Sequence, residues 1–250
     1  MCPDNARPSD NLWMDVALTT RLKSLLRRTY GATAPSLAPL YEEPKKAIYR
    51  VDRRDGPPWV LRIFPRSRPL ERVQGDAAIL RYVEGHGIDA ERVVVTTQGS
   101  PMTSVDGRGV LVTRFIEGGR PDRTPDTLRR LGEAVGRIHA LPPAPVDDPF
   151  LSRRAGALPK EDLAFGRSCL DRIAGKTPYK LMAEYERLRT ALAATRDGEE
   201  LPRGLIHSDG HLANALREPD GRIVFVDWDS AGQGPKVAAL GLLLFTCAVQ

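Results

Sequence analysis

The chain has 250 residues, of which 41% are hydrophobic and 28% charged, with a formal net charge of +5. That length suffices for one large domain or two small ones with a true core, and 22 glycines and 21 prolines stay below the level of a disordered chain. No apolar run reaches the roughly 18 residues that span a bilayer, the start MCPDNARPSD has no secretory h-region, and the arginines are scattered among acids without interleaved aromatics, so neither a membrane nor a nucleic-acid partner is expected.

Three widely spaced cysteines, Cys2, Cys169 and Cys247, fit neither a disulfide framework nor a zinc knuckle. They suit a reducing, cytoplasmic setting. Residues 1–11 read as a loose tail. A helix follows, with Leu18, Leu22, Leu25 and Leu26 on one face and Gly31 just past its end. Two β-type runs, Ala47–Val51 and Trp59–Phe64, flank Asp55-Gly56 and predict a hairpin that Pro65 and Pro69 close. A helix is expected from Gly75 to about Gly85, then a short strand at Val93–Val95. A second hairpin is expected from Met102 through Asp106-Gly107 to Phe115.

The composition changes at Gly118-Gly119-Arg120-Pro121, and helical signals dominate after it. Thr124 is a candidate N-cap with Pro125 at the first helical position. Leu128, Leu131, Val135 and Ile138 make the stripe of that helix, on which His139 reads as a packed core residue. A Pro-rich loop and a mixed segment lead to a helix from about Tyr179 to Ala194. Strand signals return at Leu205-Ile206 and in a third hairpin, Ala215–Arg217 with Ile223–Val226. Val237–Val249 is an uncharged helical run, apolar all round and therefore expected to be covered.

The chemistry concentrates in Leu205-Ile-His-Ser-Asp-Gly-His-Leu-Ala-Asn214 and in Val226-Asp-Trp-Asp229. Asp209 lies in a loop with Gly210, free to face a cleft. The hairpin returns Asp227 to the side of Asn214. A carboxylate and an amide oxygen, with Asp229 nearby, are hard donors of the kind Mg²⁺ prefers. Asp209 is then left to accept a hydroxyl proton, which completes the parts for phosphoryl transfer. Zinc at His207 and His211 is disfavoured, because Ser208 stands where a zincin helix has Glu and Gly210 argues against a helix. Gly175-Lys176-Thr177 fails as a P-loop, since Leu170 stands at its first glycine position. Gly232 and Gly234 read as a turn, and Lys45-Lys46 as solvated charge in preference to a contact with phosphates.

The spacing H-x-D-x-x-x-x-N is that of the protein-kinase catalytic loop, but no G-x-G-x-x-G, D-F-G or A-P-E accompanies it. The stretches IHSDGHLANAL and VFVDWDSAGQGP instead resemble the aminoglycoside phosphotransferase and choline kinase superfamily. WVLRIF, DAAILRYV, VLVTRFIEGG and LGEAVGRIHAL are similar to further parts of that family in the same order. The resemblance covers about residues 40 to 245. It implies an α+β, two-lobed, protein-kinase-like fold, with a β-rich N-lobe over residues 1–118 and a mainly helical C-lobe over residues 119–250. It further implies ATP and Mg²⁺ as cofactors and a small-molecule hydroxyl as acceptor.

By the same resemblance Asp209 is the catalytic base and His207 braces the catalytic loop. Asn214 and Asp227 hold the metal. Arg62 stands at the phosphate-pairing lysine and Asp76 at the helix glutamate that pairs with it. Thr113, Phe115 and Ile116 belong to the segment whose backbone meets the adenine. Arg for Lys at 62 changes the shape of the cation, and a shorter carboxylate at 76 offsets a longer arm. Family members continue for several more helices, so the C-lobe is expected to be short or truncated. The competing reading is a catalytically impaired nucleotide-binding remnant.

Overall fold

The computed structural model describes residues 16–43, 46–145, 147–156, 159–196 and 200–249. The expected tail and Lys45 lie outside the described residues. Helix α1 (Val16–Tyr30) packs Leu18, Leu22 and Leu26 on an antiparallel sheet of β1 (Ser36–Glu43), β2 (Lys46–Arg53), β3 (Gly56–Ile63), β4 (Thr103–Val105) and β5 (Arg108–Arg114), in the order β1-β2-β3-β5-β4. Gly31 follows α1 at φ +70°, the left-handed position that ends a helix.

The sheet's pleat decides what reaches the cleft. Ala47, Tyr49 and Val51 of β2, with Trp59, Leu61 and Ile63 of β3, face α1 and form one core. Successive side chains on a strand point to opposite faces. Arg62 therefore faces away from α1, as does Ile48, its register partner. Lys46, two residues before Ile48, shares that face. The hairpin is tighter than expected, with Arg53 already opposite Gly56. The predicted strand at Val93–Val95 is reduced to one bridge, Val93 to Thr113, and a bond from the Val94 N–H to the Val112 carbonyl at 2.9 Å.

Helix α2 (Leu70–Gly85) lies on the cleft face of the sheet, and starts at Leu70, after Pro69 at the N-cap, rather than at Gly75. Gly75 sits inside it because a Cβ there would stand 2.7 Å from the Arg153 guanidinium. Val73, Ala77, Leu80, Phe64 and Leu111 join a second core. It runs on without a break through Leu131, Val135 and Ile138 to Leu205, Phe225, Trp228 and Leu243. The sheet region and the helical region thus share apolar packing.

Helix α3 (Pro125–His139) begins as read, with Thr124 Oγ1 accepting from the Thr127 N–H at 3.3 Å. Leu128 departs from its predicted stripe and is exposed. The mixed segment holds an unpredicted helix, α4 (Pro159–Ile173), and α5 (Met182–Ala194) pairs with it. Strands β6 (Arg203–Ile206) and β9 (Gly232–Pro235) form one two-stranded sheet, and β7 (Ala215–Arg217) and β8 (Ile223–Phe225) another. Gly232 is thus in a strand and not a turn. A Cβ there would lie 2.7 Å from the backbone of residues 153–155. Helix α6 (Lys236–Val249) buries Ala239 and Leu243 but exposes Val237, Leu240, Leu244 and Phe245, so the expected all-round cover is absent among the described residues. No described helix is long and apolar enough to cross a membrane.

Candidate active site

The loop between β6 and β7 carries His207, Asp209 and Asn214. His207 is 2% exposed, with Trp228 edge-on at 4.5 Å and Phe225 at 5.4 Å. Its Nε2 lies 3.1 Å from the Val226 carbonyl, which can only accept, so Nε2 carries the proton. Burial pushes the imidazole pKa down and keeps the ring neutral. His207 therefore ties the catalytic-type loop to the end of β8, at a distance from any solvent-borne proton.

Asp209 is different. Its side chain is 50% exposed, yet both carboxylate oxygens are oriented. Asn214 Nδ2 donates to Asp209 Oδ2 at 2.7 Å and to the Asp209 carbonyl at 3.0 Å. His211 Nδ1 accepts from the Ala213 N–H at 3.2 Å, which leaves its Nε2 as the protonated atom, 3.2 Å from Asp209 Oδ1. His211 is an orienting residue that the sequence reading set aside once zinc was rejected.

The Val226 N–H donates to the Asn214 carbonyl at 2.9 Å, which brings Asn214 beside the segment that carries Asp227. Asp227 adopts φ 67° and ψ 59°, a left-handed conformation uncommon for a residue with a Cβ. Such strain persists where the surroundings fix it. Here the Asp227 N–H donates to Glu91 Oε2 at 3.1 Å, and the following turn packs Trp228 into the core with its Nε1 on the Phe225 carbonyl at 2.8 Å. Ser208 Oγ also donates to the Ser230 carbonyl at 2.7 Å, which joins the two loops.

A cation already faces these acids. Lys46 Nζ lies 2.7 Å from Asp227 Oδ1 and 3.0 Å from Asp229 Oδ2. It is therefore no solvated surface charge, as the sequence suggested, but the first residue of β2 reaching into the cleft. Burial alone would lower the ammonium pKa, and the Asp229 and Asp227 charges outweigh that and raise it. Asp227 is shifted the other way. Burial raises its pKa, but Lys46 and then Arg62 draw it below the ordinary carboxylate value.

Arg62 does not pair with Asp76. Its guanidinium bonds to Glu91, 3% exposed, whose other oxygen holds the Asp227 N–H. Asp76 is buried on α2 between Arg68 and Arg153, the latter at 2.8 Å. Burial raises the Asp76 pKa against the pull of both arginines. The physical reason for the exchange is reach. Asp76 is one methylene shorter than Glu and has two arginines beside it, whereas the loop after α2 brings Glu91 directly under β3. Arg68 and Arg72 also donate to the Asp229 carbonyl, at 3.3 and 3.2 Å, and so anchor α2 to the acidic turn.

The segment expected to meet an adenine is partly committed. Thr113 is fully buried between Val60 and Val93. The Phe115 N–H donates to the Pro58 carbonyl at 3.0 Å, and the Arg50 guanidinium covers its ring at 4.5 Å. Phe115 thus has no N–H left to give a base. Ile116 is half-buried. Among the described residues no group of three or more His, Cys, Asp or Glu side chains is placed to hold a metal ion.

This fold recurs in solved structures. An amicoumacin kinase in complex with AMP-PNP, Ca²⁺ and Ami aligns with a TM-score of 0.66 at 18% identity, over 91% of this chain and 68% of that one. A spectinomycin phosphotransferase in complex with ADP and spectinomycin aligns with a TM-score of 0.65 at 16% identity, over 88% and 71%. A macrolide 2'-phosphotransferase from Brachybacterium faecium aligns with a TM-score of 0.62 at 20% identity, over 91% and 77%. These superpositions show a common two-lobed, kinase-like fold. No curated protein sequence matches the chain. The sequence profile of the phosphotransferase enzyme family matches residues 46–249, from Lys46 through the acidic turn to α6, and the chain belongs to that family.

Proposed function

We propose that this protein transfers the γ-phosphoryl group of ATP to a hydroxyl group of a small molecule, with Asp209 as the base. The observation that carries this reading is the opposition of two differently held acidic sites. Asp209 is exposed but oriented by Asn214 and His211, whereas Asp227 and Asp229 are half-buried around a cation. A hydroxyl bound at Asp209 gives its proton to the carboxylate as its oxygen bonds to phosphorus and the bond to the ADP oxygen breaks. Orientation and electrostatic stabilisation are the main demands of such a transfer.

The residues fit the cofactors that the family implies. Asp227 and Asp229, with the Asn214 amide oxygen, are hard donors suited to Mg²⁺, and the Lys46 ammonium between the two carboxylates supports a cation at this position. Bound Mg²⁺ and ATP supply phosphate charge neutralisation and the transferred group. Arg62 faces the same cleft, held by Glu91, and is assigned to the phosphates. Ile116 is the residue of the 113–116 segment assigned to the adenine. We place the division between the lobes at residues 118 and 119. The solved structures that hold AMP-PNP with Ami, or ADP with spectinomycin, support a nucleotide and a small molecule as the two substrates.

The test is an acceptor screen with radiolabelled ATP and Mg²⁺ over aminoglycosides, macrolides, amino alcohols and sugars. We expect labelled product from one class. Asp209→Asn, which keeps an acceptor for Asn214, lowers kcat by about 10²–10⁴-fold with ATP affinity unchanged. Full activity in that variant contradicts the assignment.

A further inference from the structure

We infer that Lys46 is a built-in counter-ion that holds the metal site in the absence of nucleotide, and that it becomes a phosphate-binding residue once metal and nucleotide arrive. The inference rests on the proposed function and adds to it a residue and a binding order.

Three observations carry it. First, the ammonium makes close contacts to both acidic side chains of the turn, 2.7 Å to Asp227 and 3.0 Å to Asp229, from a residue 181 positions away in sequence. A solvated surface lysine does not hold two carboxylates at once with only 16% of its side chain exposed. Second, β-strand alternation sets Lys46 on the same face of the sheet as Ile48, which is paired with Arg62. The two cations therefore enter one cleft from adjacent strands. Third, they are held differently. Arg62 is fixed by the buried Glu91, whereas Lys46 is held by the two side chains that a divalent ion would need.

Charge balance gives the consequence. One ammonium against two carboxylates leaves a net negative charge, which a divalent ion neutralises fully. Such an ion competes with Lys46 for the same oxygens. Lys46 carries a compact charge on a flexible four-carbon stem. When displaced it stays at the cleft end of β2, on the face it shares with Arg62, and its best new partners there are phosphate oxygens. Metal alone must expel the lysine without compensation. Metal with ATP offers the lysine a new partner. Lys46 thus couples metal binding to nucleotide binding and guards the acidic pair against a free ion.

This predicts effects of opposite sign from one substitution. Binding of Mn²⁺ alone is followed by the loss of the free-ion paramagnetic resonance signal, and binding of ATP in saturating Mn²⁺ by calorimetry. In Lys46→Met, Mn²⁺ alone binds about tenfold tighter, and ATP with Mn²⁺ about tenfold more weakly, the scale of losing a charge-assisted bond. Lys46→Arg, which retains a cation and serves as the folding control, stays close to wild type in the metal-only titration. If Lys46→Met changes both affinities in the same direction, or neither, the inference about Lys46 is overturned while the proposed function stands. A wild-type protein that takes up no ATP in Mn²⁺ overturns the functional reading itself.

Discussion

Glu91 joins two things that the proposed phosphoryl transfer must keep in register, the Arg62 guanidinium assigned above to the phosphates and the backbone of Asp227. Removing its charge leaves Arg62 buried and unpaired. Glu91→Gln should therefore cost about 3–5 kcal/mol of stability, measured by urea denaturation, and should weaken ATP binding as well. His207 makes a pH prediction. Its folded pKa is pushed down by burial, so the unfolded chain takes the proton first. The stability it contributes is full above about pH 6.5, the unfolded value, and is lost as pH falls towards the folded value. His207→Gln keeps a donor for the Val226 carbonyl, and should flatten the fall in melting temperature between pH 7.5 and 5.5. An unchanged slope in that variant would remove His207 from the account. The proximity of Asp209 to Asn214, and of His207 and Asn214 to the segment that carries Asp227, was legible because the spacing is itself the signal. Glu91 and Lys46 were not, since each acts through a contact that exists only after distant strands and loops close on one another. An acid before an apolar run and a lysine pair in a turn have many bland meanings in a sequence.

At the scale of elements, periodicity and turn chemistry reached the pieces with local causes. The β2–β3 and β4–β5 hairpins, β7 with β8, and α3 with its Thr124 cap all appear where Asp-Gly turns and capping residues place them. Thr124→Ala should remove about 1 kcal/mol, read as a lower denaturation midpoint with an unchanged slope. The missed elements have tertiary causes. Strand β1 runs through Pro39 at the sheet edge, with a register shift between Pro39 and Tyr41, and edge strands tolerate proline. Strand β9 consists of Gly232-Gln-Gly-Pro235 and has no side-chain alternation to read. It is a strand because β6 pairs with it and the backbone of residues 153–155 leaves no room for a Cβ at Gly232. Helix α4 exposes Phe165 and carries Gly166 where Leu192 of α5 approaches, so its pattern was weak before its partner was in place.

For the whole molecule, the apolar core that runs from Phe64 and Leu111 to Trp228 and Leu243 supports the cleft from beneath, while charged contacts cross its mouth. Lys46 meets Asp227 and Asp229, Glu91 meets Asp227, and Arg68 and Arg72 meet the Asp229 carbonyl. The acidic turn is therefore one of the places where the sheet side and the helical side are tied together, and a metal–nucleotide complex is expected to bind there. The most direct test is calorimetric titration of ATP into the protein with and without Mg²⁺, with Asp227→Ala alongside. The account predicts Mg²⁺-dependent binding by the wild type and its loss in Asp227→Ala while the variant remains folded. Binding that ignores Mg²⁺, or that survives in Asp227→Ala, would contradict it.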